Sequence, residues 1–118
     1  MLVVEDEPLA LKLIAERLQA EGYRVTAIAD GKRAWEHLKD KEECPDLAIV
    51  DLVLPGMNGW RLCQKLRTDP RYQRVRIIIL SALIDDEGKA GALDQCDFLM
   101  AKPFNVETLM QKVRELLG

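Results

Sequence analysis

Five residues of this 118-residue chain have the types and spacing to do chemistry on a metal or an anion: Glu5, Asp6, Asp51, Ser81 and Lys102. Each follows a short apolar run: Val3-Val4 before Glu5-Asp6, Ala48-Ile49-Val50 before Asp51, Ile78-Ile79-Leu80 before Ser81, and Leu99-Met100-Ala101 before Lys102. Apolar runs without alternation read as strands covered on both faces. A charge at the end of such a strand is costly unless it has partners or a task. The C-terminal ends of strands are also where open α/β sheets hold ligands. Three carboxylates gathered there would repel one another and resist ionising together. A divalent cation resolves the conflict. All the donors are hard oxygens, with neither His nor Cys at matching positions, so the donor set suits Mg²⁺ (or Mn²⁺) rather than zinc. Asp51 is then a candidate nucleophile of the kind that forms an acyl phosphate. Lys102, Ser81 and the backbone N–H groups after Asp51 could hold the oxygens of a phosphoryl group.

The elements that must position these residues can be read in chain order. Residues 1–4 form a first strand, and Pro8 sits where the first turn of a helix tolerates it. A helix over residues 9–21 follows, closed by Gly22. At helical spacing Leu11, Ile14, Ala15 and Leu18 share the core side, while Leu9 and Leu13, with Ala10 nearby, lie opposite as a candidate docking patch. Residues 24–28 alternate and are rather polar, which predicts an edge strand. Asp30 caps a helix over residues 31–41, with Ala34, Trp35 and Leu38 as its apolar side. The strand at residues 47–51 leads into a Pro55-Gly56 turn, and Asn58 caps a helix over residues 59–67. Residues 76–80 are a further apolar strand rich in β-branched residues. A short helix is expected at residues 87–93, weakened by Gly88 and Gly91, each costing about 1 kcal/mol relative to Ala. Residues 97–101 form the fifth strand. Asn105 caps the last helix, residues 106–117, whose buried side is Val106, Leu109, Val113 and Leu116. Five strands alternating with five helices predict a parallel sheet, and right-handed crossovers favour strand order 2-1-3-4-5. That order brings the ends of strands 1 and 3, with Glu5, Asp6 and Asp51, to the switch point.

Composition narrows the class. The length fits a single domain spanning residues 1–118, and 48% apolar residues can build a core. No apolar run approaches the ~18 residues of a membrane span, and the N-terminus lacks the basic region of a signal peptide. A net charge of −3 argues against direct nucleic-acid binding. Cys44, Cys63 and Cys96 have neither metal nor redox spacing and read as free thiols of a reducing cytoplasm. His37 reads as a solvated surface residue away from the site.

The chain resembles the receiver domains of two-component response regulators over essentially its whole length. The resemblance rests on residues 2–8 (LVVEDEP), Asp30-Gly31, residues 51–59 (DLVLPGMNG), Ser81-Ala82 and Lys102-Pro103-Phe104, in order and at nearly the family spacing. It implies a flavodoxin-like three-layer α/β/α sandwich. It implies Asp51 as phosphoacceptor, supplied by a sensor histidine kinase or a histidine phosphotransfer protein. Asp6 and Asp51 would bind Mg²⁺, Glu5 mostly through water, and Val53 would add its backbone carbonyl. Lys102 would pair with the phosphoryl group, Ser81 would turn towards it, and the Lys102–Pro103 peptide would be cis. Leu9, Ala10, Leu13, Met57 and Phe104 are the expected kinase-docking residues. The output would be a downstream domain or protein, with homodimerisation on phosphorylation as one route. Such a domain is a cytoplasmic signalling module that assists its own phosphorylation and dephosphorylation, not an enzyme acting on other substrates.

Two departures from the family pattern stand out. Where the family carries an aromatic three residues before the lysine, this chain has Leu99; Phe98 should face the other side of its strand. The segment between Ser81 and Lys102 is about one residue short. Both fall on the usual output face, so rearrangement of the glycine-containing helix is the expected switch. Val53 and Leu83 offer no side chain to orient an attacking water, which predicts a long-lived phosphoryl group. Two other readings use the same residues: an aspartate-nucleophile phosphatase, which would want an acid where Val53 stands, and a phosphorylation-independent interaction domain. The sequence is compatible with a stand-alone regulator and with a receiver cut from a larger protein.

Overall fold

The computed structural model describes residues 1–82 and 96–118. In chain order these form β1 (Leu2–Val4), α1 (Pro8–Ala20), β2 (Thr26–Ile28), α2 (Gly31–Lys41), β3 (Leu47–Asp51), α3 (Gly59–Thr68), β4 (Arg76–Ser81), β5 (Phe98–Ala101) and α4 (Val106–Leu117). The expected helix at residues 87–93, and Leu83 before it, lie outside the described residues. All neighbouring strands are parallel, in the order β2-β1-β3-β4-β5.

The strand sequences are apolar throughout because both faces of the sheet are covered. Leu2, Val4, Ala48, Val50, Ile77 and Ile79 point into one core with Ala34 and Leu38 of α2 and Leu62, Cys63 and Leu66 of α3. Val3, Leu47, Ile49, Ile78, Leu80 and Met100 point into the other, with Ile14 and Leu18 of α1 and Leu109, Met110 and Val113 of α4. This is the period-two alternation of a strand, hidden in the sequence because each side meets a helix layer. β2 is an edge strand, as its polar alternation predicts, but only Thr26–Ile28 pairs.

The helix starts follow their caps. Asp30 Oδ1 accepts from the Arg33 N–H (3.0 Å), Asn58 Oδ1 from Arg61 (2.8 Å), and Asn105 Oδ1 from Glu107 (2.8 Å) and Thr108 (3.3 Å). Each satisfies a donor that a helix N-terminus leaves unpaired. α1 has Pro8 in its first turn and no side-chain cap. α2 ends as expected at Lys41, and Glu42 after it takes the left-handed conformation, φ 49°. Met110 is a fully buried α4 residue not expected from the sequence, while Val106 and Leu116 are only partly buried. His37 departs from its expected solvated state: its Nε2 lies 2.7 Å from Glu43 Oε2, and its ring is half-buried. The left-handed turn at Glu42 follows α2 directly and precedes this glutamate.

Candidate functional site

Register assembles the site. β1 and β3 pair Val4 with Val50, so the next residues of the two strands, Glu5 and Asp51, emerge side by side. β4 and β5 pair Ser81 with Ala101, and the Lys102 N–H donates to the Ser81 carbonyl (2.8 Å). Lys102 therefore leaves the same edge of the sheet as Asp51. Its Nζ donates to Asp51 Oδ2 (2.7 Å) and to both oxygens of Glu5 (2.8 and 3.0 Å). Glu5 and Asp51 are 0% and 5% exposed, whereas Asp6 faces solvent at the rim. One carboxylate oxygen from each of Glu5, Asp6 and Asp51 lies within 4.8 Å of the others.

Backbone donors add to the cluster. Asp51 Oδ1 accepts the Val53 N–H (3.1 Å), and Glu5 Oε1 accepts the Glu7 N–H (3.2 Å). Burial pushes the Glu5 carboxyl above the ordinary glutamate value; the Lys102 and Glu7 hydrogen bonds oppose this, and the Asp51 charge adds to it. Burial draws Lys102 down, but its hydrogen bonds to Asp51 and Glu5 outweigh burial, and its pKa stands above the ordinary lysine value. Lys102 is thus charged at neutral pH, and it is shared between two acids.

Among the described residues, three carboxylates against one ammonium leave two negative charges in a partly buried cleft. Hard oxygen donors this close, without nitrogen or sulfur, fit a small divalent cation of the Mg²⁺ kind. Ser81 is fully buried beside the cluster. Val53 contributes backbone to the site and turns its side chain out, 59% exposed. The Lys102–Pro103 peptide is cis.

The docking residues divide. Leu9, Ala10, Leu13 and Phe104 line one groove of about 480 Å³ that runs up to Lys102. Leu9 and Leu13 are 77% and 51% exposed, an unusual state for two leucines on one helix face. Met57 is separate, lining another cleft with Lys32, Trp60 and Arg61. Leu99 packs into the core beneath α2 and α3, while Phe98 packs into the opposite core, with the Lys112 ammonium 4.7 Å from its ring centre.

A family model described as the response regulator receiver domain matches residues 1–114. The chain belongs to the response regulator receiver family. It is 37% identical over 116 residues to the phosphate regulon transcriptional regulatory protein PhoB of Rhizobium meliloti (strain 1021), covering 98% of this chain and 50% of that protein. The receiver domain of a signal transduction histidine kinase from Syntrophus aciditrophicus superposes with a TM-score of 0.88 at 30% identity, covering 98% of this chain and 87% of that one. The BeF3-activated DrrB receiver domain does so with a TM-score of 0.84 at 30% identity, covering 98% and 94%. The chain spans about half the length of the curated relatives it matches. As a receiver it is a signalling domain of the two-component kind.

Proposed function

We propose that Asp51 accepts a phosphoryl group from the phosphohistidine of a sensor histidine kinase or a histidine phosphotransfer protein. A carboxylate oxygen of Asp51 attacks phosphorus, the N–P bond breaks, and the imidazole leaves with the electron pair and takes up a proton. The observation that carries this reading is the Glu5–Lys102–Asp51 cluster: a buried carboxylate at a strand end, held by one ammonium and one N–H.

Asp51, Asp6 and Glu5, with the Val53 carbonyl, would hold Mg²⁺, which offsets the negative charge of the acids and of the arriving phosphoryl oxygens. Lys102 bridges Glu5 and Asp51 in this structure, and on phosphorylation its ammonium pairs with a phosphoryl oxygen. The Ser81 hydroxyl supplies another donor. The Val53 N–H, already on Asp51 Oδ1, keeps the carboxylate oriented. With Val53 turned outward and apolar, no side chain at that position activates water, and the acyl phosphate is long-lived. The domain acts on its own aspartate rather than on a pool of substrate, and works in the cytoplasm. Among the described residues no helix is long and apolar enough to cross a membrane.

The groove of Leu9, Ala10, Leu13 and Phe104 ends at Lys102, so a helix seated there brings its histidine to Asp51. We place the phosphodonor on that groove, and the output on a further domain or protein.

One experiment tests both parts. The chain is incubated with acetyl phosphate and Mg²⁺, and separately with a phosphorylated histidine kinase, and adduct formation is followed by intact mass. Wild type gains one phosphoryl group from each donor, and Asp51→Asn from neither. Leu13→Ala takes the group from acetyl phosphate normally and from the kinase more slowly. An adduct on Asp51→Asn, or none on wild type, refutes Asp51 as acceptor; unimpaired kinase transfer to Leu13→Ala refutes the groove.

A further inference from the structure

The Asp30-Gly31 pair touches none of the reacting groups, yet the fold sets it against the loop that follows Asp51. The Gly31 N–H donates to the Pro55 carbonyl (3.2 Å). A Cβ on Gly31 would stand 1.8 Å from the Met57 carbonyl oxygen. At the loop's tip Gly56 has φ +78°, and a Cβ there would stand 2.5 Å from Asp30 Oδ1. The loop closes on its own strand as well: the Gly59 N–H donates to the Leu52 carbonyl (2.9 Å), and a Cβ on Gly59 would stand 1.9 Å from the Asp51 carbonyl oxygen. At Gly31 and Gly59 backbone meets backbone, so no rotamer change can relieve an added methyl group. Real Cβ contacts essentially never fall under 3.0 Å, so a residue larger than glycine at position 31 must displace the loop by more than about 1 Å.

We propose that the start of α2 is a positioning element for the phosphoacceptor site. Asp30 and Gly31 form the wall against which residues 52–58 set, and this fixes the Val53 N–H and carbonyl relative to the Asp51 carboxylate. The proposal rests on the reading of Asp51, Glu5, Asp6 and Val53 as the metal and phosphoryl site. It assigns Gly31 an effect on cation affinity through the loop, although Gly31 offers no ligand. It also predicts a sign opposite to that of helix propensity, on which alanine in a helix is favoured over glycine.

The test uses Mg²⁺ alone as probe, titrated by calorimetry and by NMR of the Val53 amide. Wild type, Gly31→Ala, Gly56→Ala and Tyr72→Phe are measured, with thermal unfolding of each. Tyr72→Phe removes only the hydroxyl's bond to the Leu38 carbonyl (3.1 Å), further along α2, and leaves the loop contacts in place. It therefore reports what loosening α2 does by itself. Gly31→Ala should weaken Mg²⁺ binding about 10- to 100-fold, the range seen when groups that orient metal ligands are altered, and should shift the Val53 amide before Mg²⁺ is added. Gly56→Ala, at the exposed loop tip, should weaken it less and keeps the question open to measurement where Gly31→Ala does not fold. Tyr72→Phe should bind Mg²⁺ as wild type does. The proposal is overturned where the foldable glycine variants match wild type in affinity, or lose no more than Tyr72→Phe does. A wild type that neither binds Mg²⁺ nor takes a phosphoryl group from acetyl phosphate refutes the reading of the site itself.

Discussion

Carboxylates and cations meet at both ends of the β-sheet, and the two clusters are balanced in opposite senses. At the C-terminal ends of the strands, Glu5 and Asp51 share the ammonium of Lys102, and Asp6 lies beside them; among the described residues these three acids face that one cation. At the opposite end one acid, Asp97, is served by two guanidinium groups: Oδ2 accepts from Arg67 Nη2 (2.8 Å), and Arg76 Nη1 lies 3.5 Å from Oδ1. Oδ2 also accepts the Ile77 N–H (2.8 Å), and the Asp97 N–H donates to the Ile77 carbonyl (2.8 Å). The Asp97 cluster is satisfied and partly solvated, and it fastens the start of β5 to β4. The Glu5–Asp51 cluster is buried and short of positive charge. Both oxygens of Asp97 already hold donors, so that acid is neutralised in place, whereas surplus negative charge among Glu5, Asp6 and Asp51 leaves room for a divalent ion. The sign of the surplus charge, rather than the presence of charge, separates the candidate site from the opposite end of the sheet.

The contrast can be broken at either end. The largest effect is expected for Lys102→Ala, which removes the cation from the acidic cluster. Phosphoryl uptake from acetyl phosphate should fall about 10²- to 10³-fold, as when an electrostatic donor is lost from a reacting centre. Uptake at the wild-type rate would mean that Lys102 is only a counter-ion for Glu5. Asp97→Ala should do the reverse. Stability should drop by about 1.5–3 kcal/mol, the range for hydrogen bonds to charged groups, while phosphoryl uptake at saturating donor stays unchanged in the folded protein. Chemical denaturation with a parallel uptake assay checks both, and a large loss of uptake would couple the two ends.

The smallest effect belongs to the surface. Glu107 accepts from Arg17 across α1 and α4 (2.9 Å for Nη2 to Oε2), and this hydrogen bond lowers its pKa below the ordinary glutamate value. A carboxylate with a depressed folded-state pKa stabilises above its unfolded value of about 4.5 and loses that contribution as pH falls through the folded value. Glu107→Gln should therefore lower the melting temperature slightly at neutral pH and converge with wild type in acid below that range. The difference should shrink in high salt, because both groups are exposed. A gap that persists in acid would point to lost packing instead of lost charge.

Much of this molecule was legible in the chain. The strand ends at Glu5, Asp51, Ser81 and Lys102 could be read because a polar residue after an unbroken apolar run has few innocent explanations. The helix starts at Asp30, Asn58 and Asn105 could be read because capping is local chemistry, completed within three residues. The same locality explains the misses. His37 looked solvated because Glu43 reaches it only after the chain turns at Glu42. Met110 was missed because its burial comes from the sheet and α1 closing over that side of α4. Cys63 is a free thiol, as its spacing predicts; packed in the core, its pKa is pushed up to about 12, which leaves it inert.

Residue type and local spacing therefore determined which groups are available: three acids, an ammonium, a hydroxyl and a glycine-rich loop. Tertiary structure decided how they are shared. Only the Val4–Val50 register puts Glu5 beside Asp51, and only the β4–β5 pairing returns Lys102 between them. Only the packing of α2 on the loop gives Gly31 its place, because a close approach of two backbones leaves no trace in the sequence beyond the absence of a side chain.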